Sequence, residues 1–127
     1  MILLDTDVMV DVLRGHVPAR DWLASVTLQE IGIPGLVAME LLQGCRDARE
    51  QRRVEKTLGT YPLCWPSGED CAKALTWFAA YRLSHQLGML DALIAAAATG
   101  LRAELATFNT KHYGAVKQLK TIQPYRR

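Results

Sequence analysis

Three carboxylates in this 127-residue chain stand inside apolar surroundings: Asp5 directly after Ile2-Leu3-Leu4, Glu40 within Ala38-Met39-Glu40-Leu41-Leu42, and Asp91 between Leu90 and Ala92-Leu93-Ile94. A carboxylate taken out of water must be paired, hydrogen-bonded or bound to a cation, so each position needs a local reason. Taken singly, Asp5 and Asp91 suit helix caps, and Glu40 suits pairing with an arginine. Taken together, they are spaced so that all three can converge at one sheet edge. A divalent cation offsets the repulsion of such a cluster, and ligands that are all oxygen select Mg²⁺ or Mn²⁺ over zinc.

Other chemistries find less support. Cys45, Cys64 and Cys71 are odd in number and form neither a disulfide framework nor a CxxC pair. His16, His85 and His112 are scattered, with no two placed to share one helical face as zinc ligands. Ser25, Ser67 and Ser84 lie outside any GxSxG elbow, and the chain has no GxxxxGK[ST] loop, which sets aside a serine esterase and a P-loop enzyme.

The elements that must position the acids follow from local pattern. Ile2-Leu3-Leu4 reads as a strand, and Asp5-Thr6-Asp7 supplies acceptors that cap a helix over about Val8 to Leu13, closed by Gly15. A second helix enters at Pro18, and Ile31-Gly32-Ile33 is a second strand. Leu36 to Leu42 is a helical run carrying Glu40, and a polar helix covers about Arg46 to Leu58, with alternating charges that read as a solvated face. Tyr61 to Trp65 resembles a short strand. Ser67, with Asp70 three residues on, opens the longest helix, expected to reach Leu87. Its stripes are Cys71, Leu75, Phe78 and Arg82, and beside them Ala74, Trp77 and Tyr81; either both are core or one serves a protein partner. Asp91 opens an alanine-rich helix, Ala92 to Thr99, and Glu104 to Thr107 is the last strand expected. Strands alternating with helices predict an α/β fold with a parallel sheet, whose sites lie at the carboxyl ends of the strands.

A chain of this length, half hydrophobic, builds one domain spanning residues 1–127 without disulfide or metal staples. No apolar run approaches the ~20 residues needed to cross a bilayer, so a cytoplasmic location is expected. Fifteen Lys and Arg against thirteen Asp and Glu leave a formal charge of +2, unevenly spread: −4 over residues 1–45 and +6 over 46–127. Five of the basic residues fall between Arg46 and Lys56, and after Glu104 the only charged residues are Lys111, Lys117, Lys120, Arg126 and Arg127. The basic half is compatible with contact to a polyanion, or with a solvated tail.

The blocks Leu3-Leu4-Asp5-Thr6-Asp7 with Val12-Leu13-Arg14-Gly15, Met39-Glu40-Leu41-Leu42-Gln43-Gly44, Asp91-Ala92-Leu93-Ile94-Ala95-Ala96, and Ala106-Thr107-Phe108-Asn109 with Tyr113 occur in order across nearly the whole chain. In this the sequence resembles PIN-domain ribonucleases, specifically the VapC-type toxins of toxin–antitoxin pairs. The resemblance implies a PIN-like αβα sandwich with a central, mainly parallel sheet. Asp5, Glu40 and Asp91 match the family's acidic metal ligands, and Thr6, Thr107 and Asn109 match polar positions around the metal and its waters. Two departures stand out: Asp7 replaces the Asn common in relatives, and Thr110-Lys111-His112 lacks a further acid, which argues against a second tightly held metal.

What the resemblance implies is hydrolysis of RNA phosphodiester bonds, with a metal that polarises a phosphate oxygen and lowers the pKa of a water for in-line attack. His112, near Asn109, is a candidate general base or simply a loop histidine. An antitoxin covering the acidic cleft and a homodimer are the implied protein partners. The Trp77/Tyr81 stripe and the helices around Val12 and Leu41 are candidate contact surfaces. The alternatives are a PIN-fold binding module without strong catalysis and a phosphoacceptor receiver domain; the latter needs an Asp ending a middle strand, which Ile31 to Ile33 and Tyr61 to Trp65 lack.

Overall fold

In the computed structural model, which describes residues 1–26 and 29–127, Ile2–Leu4 forms β1, buried along its whole length. Asp5 caps the helix that follows, α1 (Thr6–Leu13), and Gly15 turns the chain at φ +75°, a left-handed conformation that glycine adopts without strain. The remaining elements are α2 (Val17–Ser25), β2 (Ile31–Pro34), α3 (Gly35–Gln43), α4 (Ala48–Leu58), β3 (Leu63–Cys64), α5 (Gly68–Tyr81), α6 (Met89–Gly100), β4 (Glu104–Ala106), α7 (Thr110–Tyr113) and β5 (Lys120–Ile122).

The five strands form one sheet in the order β3-β2-β1-β4-β5, with every pairing parallel. Parallel neighbours require crossovers, and the helices that make them cover both faces of the central strands, which explains why β1 and β2 read as plain apolar runs while the edge strand β5 does not. The α/β architecture expected from the sequence is the one observed. Its order reverses at β1, whose neighbours β2 and β4 continue in opposite directions along the sheet. The crevice beyond the carboxyl ends of β1 and β4 is therefore where such a sheet binds ligands. Asp5 follows β1 and Thr107 follows β4.

Ala95, Ala96 and Ala98 of α6 are fully buried, so the alanine run does bring that helix close to its neighbours. Gly35 is another close approach: a Cβ there would meet the Trp65 ring at 2.3 Å. Among the described residues no helix is long and apolar enough to cross a membrane.

Two expectations are corrected and one alternative is resolved. The long helix stops at Tyr81 rather than Leu87, because Arg82–Ser84 form a turn and Gln86 takes φ +56°; Leu87 then returns to the core, where its burial had mimicked helical periodicity. Glu104–Ala106 is not the last strand, since Lys120–Ile122 adds a short edge strand beside it. Of the two stripes on α5, left open in the sequence, Ala74, Trp77 and Tyr81 pack into or against the core, as does Phe78 of the other, whose Cys71 and Leu75 face solvent.

Candidate active site

Asp5 stands where β1 ends and α1 begins. It is only 6% exposed, and its two oxygens accept from the Thr6 backbone N–H at 2.9 Å and the Thr107 hydroxyl at 2.8 Å. One bond fixes the start of α1; the other ties β1 to the end of β4. Burial pushes the carboxyl up to about 6, and the nearby charge of Asp7 adds to that, against the opposing effect of the two hydrogen bonds. A carboxylate held this way is under-compensated and gains from an added positive charge.

Glu40 reaches the same edge from α3: the Thr6 hydroxyl donates to its Oε1 at 3.0 Å. Asp91 sits in the first turn of α6, where its Oδ2 accepts the Gly88 backbone N–H at 3.2 Å, a one-sided cap because glycine has no side chain to return the bond. His112 Nδ1 lies 3.8 Å from that oxygen, too far for a hydrogen bond. Tyr113 feels the charge of both aspartates. Its hydroxyl is buried without a hydrogen-bond partner among the described residues, and burial, then the charges of Asp5 and Asp91, hold the phenol protonated far above its ordinary range.

Thr107 is fully buried, and its hydroxyl oxygen accepts the Asn109 backbone N–H at 3.0 Å while donating toward Asp5. Asp7 closes the turn: its Oδ1 accepts from Val8 N–H at 2.7 Å and its Oδ2 from Phe108 N–H at 2.9 Å. The departure at Asp7 thus clamps the 107–109 turn onto α1. Nothing in its position beyond its nearness to Asp5 signalled this in the sequence.

A second buried carboxylate lies on α1. Asp11 Oδ2 accepts the Tyr125 hydroxyl at 2.6 Å, and Arg127 donates to its Oδ1 at 3.3 Å. Phe108 lies between these partners, with the Tyr125 ring centroid at 5.0 Å and the Arg127 guanidinium 4.9 Å from its own centroid. Part of the basic tail is therefore tied down rather than solvated. The sequence held the signal: Asp11 interrupts Val8-Met9-Val10 and Val12-Leu13 as Asp5 follows Ile2-Leu3-Leu4.

Among the described residues no three His, Cys, Asp or Glu side chains lie close enough together to hold a metal ion as they stand. Each acid at the edge instead holds a local donor. The remaining oxygens of Glu40 and Asp91 accept no hydrogen bond among the described residues, and the donor set, with the orphaned Tyr113 hydroxyl beside it, consists entirely of oxygen. These features fit a hard divalent cation.

The sequence model of the PIN domain matches residues 2–117. The chain belongs to the PIN domain family. It is 40% identical over 123 residues to Ribonuclease VapC10 of Mycobacterium tuberculosis (strain CDC 1551 / Oshkosh), covering 94% of this chain and 91% of that protein. Among solved structures, a toxin–antitoxin complex from Klebsiella pneumoniae is similar over the full length of both chains, with 25% identity and a TM-score of 0.80. VapBC2 from Rickettsia felis, bound to a DNA fragment from its promoter, shares the fold at 22% identity and a TM-score of 0.80, covering 96% of this chain and 98% of that one.

Proposed function

We propose that this chain, acting as a single domain, is a Mg²⁺- or Mn²⁺-dependent endoribonuclease toxin restrained by a cognate antitoxin. The observation that carries the reading is the buried, under-compensated Asp5 at the switch point of the sheet, with Glu40 joined to it through Thr6 and Asp91 near enough for both aspartate charges to act on Tyr113. The likeness to Ribonuclease VapC10 supports RNA as substrate. The likeness to the Klebsiella complex supports the antitoxin. A homodimer and a cytoplasmic location belong to the same proposal.

Asp5, Glu40 and Asp91 would hold the cation. When bound, it supplies charge stabilisation at a phosphodiester oxygen and a more acidic water. The chain's own contribution is alignment. Thr107 orients Asp5, Thr6 orients Glu40, and the α6 cap orients Asp91. Asn109 starts α7 beside this turn, and its side-chain amide makes no hydrogen bond among the described residues, so it is free to meet substrate or water.

Cleavage of several single-stranded and structured RNAs, with Mn²⁺ and with chelator, tests the reading. Wild-type protein cleaves only with Mn²⁺, and Asp5→Ala does not cleave. Equal cleavage by both proteins refutes the assignment of Asp5. Cleavage by neither favours a PIN-fold binding module.

A further inference from the structure

A groove of about 730 Å³ runs from Thr6 and Glu40 outward between α1, α3 and α4. Its floor is apolar, with Val10, Leu41 and Val54, while Arg14, Arg46 and Arg53 line it. The charges of α4, which in the sequence read as one solvated face, are divided by the fold. Arg46, just before α4, and Glu50, Arg53 and Thr57 on it line the groove, while Arg49, Arg52 and Lys56 lie outside its lining; the arginines of both sets are exposed. Arg46 is paired with Glu50 at 3.1 Å; among the described residues, Arg14 and Arg53 have no carboxylate within 4.0 Å.

Resting on the ribonuclease reading, we infer that this groove is the path of the RNA strand leaving the acid edge, with Arg14 and Arg53 gripping backbone phosphates beside the scissile one. A guanidinium presents a planar fork of donors that matches a phosphate, and it remains charged at any working pH. Apolar floor between charged walls suits a nucleotide, whose base covers the floor while its phosphate meets the arginines. Phosphate contacts hold the strand in register without reading its sequence. Glu40, at the inner end, is the one lining acid without a basic partner, and it belongs to the proposed cation site. Outward of it, Glu50 is offset by Arg46, which leaves the groove net positive.

The test measures equilibrium binding of a fluorescent 12-nucleotide single-stranded RNA, in Mn²⁺, to Asp91→Asn protein, a background chosen to block cleavage. Arg14→Gln/Arg53→Gln in that background weakens binding at least tenfold and flattens the salt dependence of log K by about 1.4, the value for two lost contacts to a single strand. Arg49→Gln/Arg52→Gln removes the same charge outside the groove and changes binding less than threefold. Equal losses from the two pairs overturn the proposal in favour of diffuse charge. No loss from either overturns it and leaves the groove to a protein segment.

Thermal melting of each variant separates loss of contact from loss of fold. In cleavage assays on otherwise wild-type protein, the groove pair raises KM and leaves kcat near its starting value. If wild-type protein binds RNA through Arg14 and Arg53 yet cleaves none, the ribonuclease reading fails and the groove stands. If Asp5→Ala abolishes cleavage while the groove pair kinetically matches wild type, only the groove assignment fails.

Discussion

Asp5 and Asp11 stand at either end of α1, and at 6% and 8% exposure they are almost equally hidden from water. Burial pushes both upward, and Asp5, packed more deeply among protein atoms, much further. For Asp11, the Tyr125 hydroxyl and the Arg127 charge outweigh it and bring the carboxyl below its usual range. For Asp5, two hydrogen bonds do not, and the neighbouring charge is another acid. One carboxylate is an anchor whose neutralising partner lies within the chain. The other lacks such a partner, and the proposed cation would supply one.

The largest test of this contrast replaces Asp5. Asp5→Asn should lower RNA cleavage by a thousandfold or more, yet stabilise the protein. A carboxyl raised from 3.8 to about 6 in the fold costs stability progressively as pH rises between those values, and fully above them. The gain at pH 7 is up to about 3 kcal/mol, from roughly 1.36 kcal/mol per unit. Urea unfolding at pH 7 and at pH 3.5 measures it, and the gain should vanish at the lower pH. Asp11→Asn should move oppositely. It should cost about 1–2 kcal/mol at pH 7, because the lowered carboxyl contributes stability above its unfolded value of 3.8 that disappears as pH falls through the still lower folded value.

The anchors and the site were not equally legible in sequence. Asp5, Glu40 and Asp91 were visible because each breaks an apolar run, and strand-helix alternation was enough to predict a parallel sheet with its site at the carboxyl ends. Asp11 breaks an apolar run too, but its partners are 114 and 116 residues away, and no local pattern announces a tail that folds back. For the same reason α5 was drawn too long: Leu87 is buried through tertiary contact, not helical periodicity. The three residues of β5 gain their structure from pairing with β4, which periodicity within one segment cannot register.

Smaller changes sharpen the comparison further. Thr107→Val keeps the shape of a fully buried side chain but strips Asp5 of its hydroxyl donor. It should destabilise by about 1–2 kcal/mol at pH 7 and push the Asp5 carboxyl higher, as read by NMR titration of its side-chain carboxyl. Tyr113→Phe removes a buried hydroxyl that has no partner among the described residues, and should stabilise by up to about 1 kcal/mol in the same unfolding assay. A loss of stability there would mean that the hydroxyl is bonded to Asp5 in solution.

The central claim, that Asp5, Glu40 and Asp91 together hold one cation, is tested most directly by titrating Mn²⁺ into wild-type protein and into Asp5→Asn, Glu40→Gln and Asp91→Asn, with free Mn²⁺ read by electron paramagnetic resonance. The account predicts one site in the wild type, weakened at least tenfold in each of the three variants. Wild-type affinity retained in any one of them would remove that acid from the site and contradict the account.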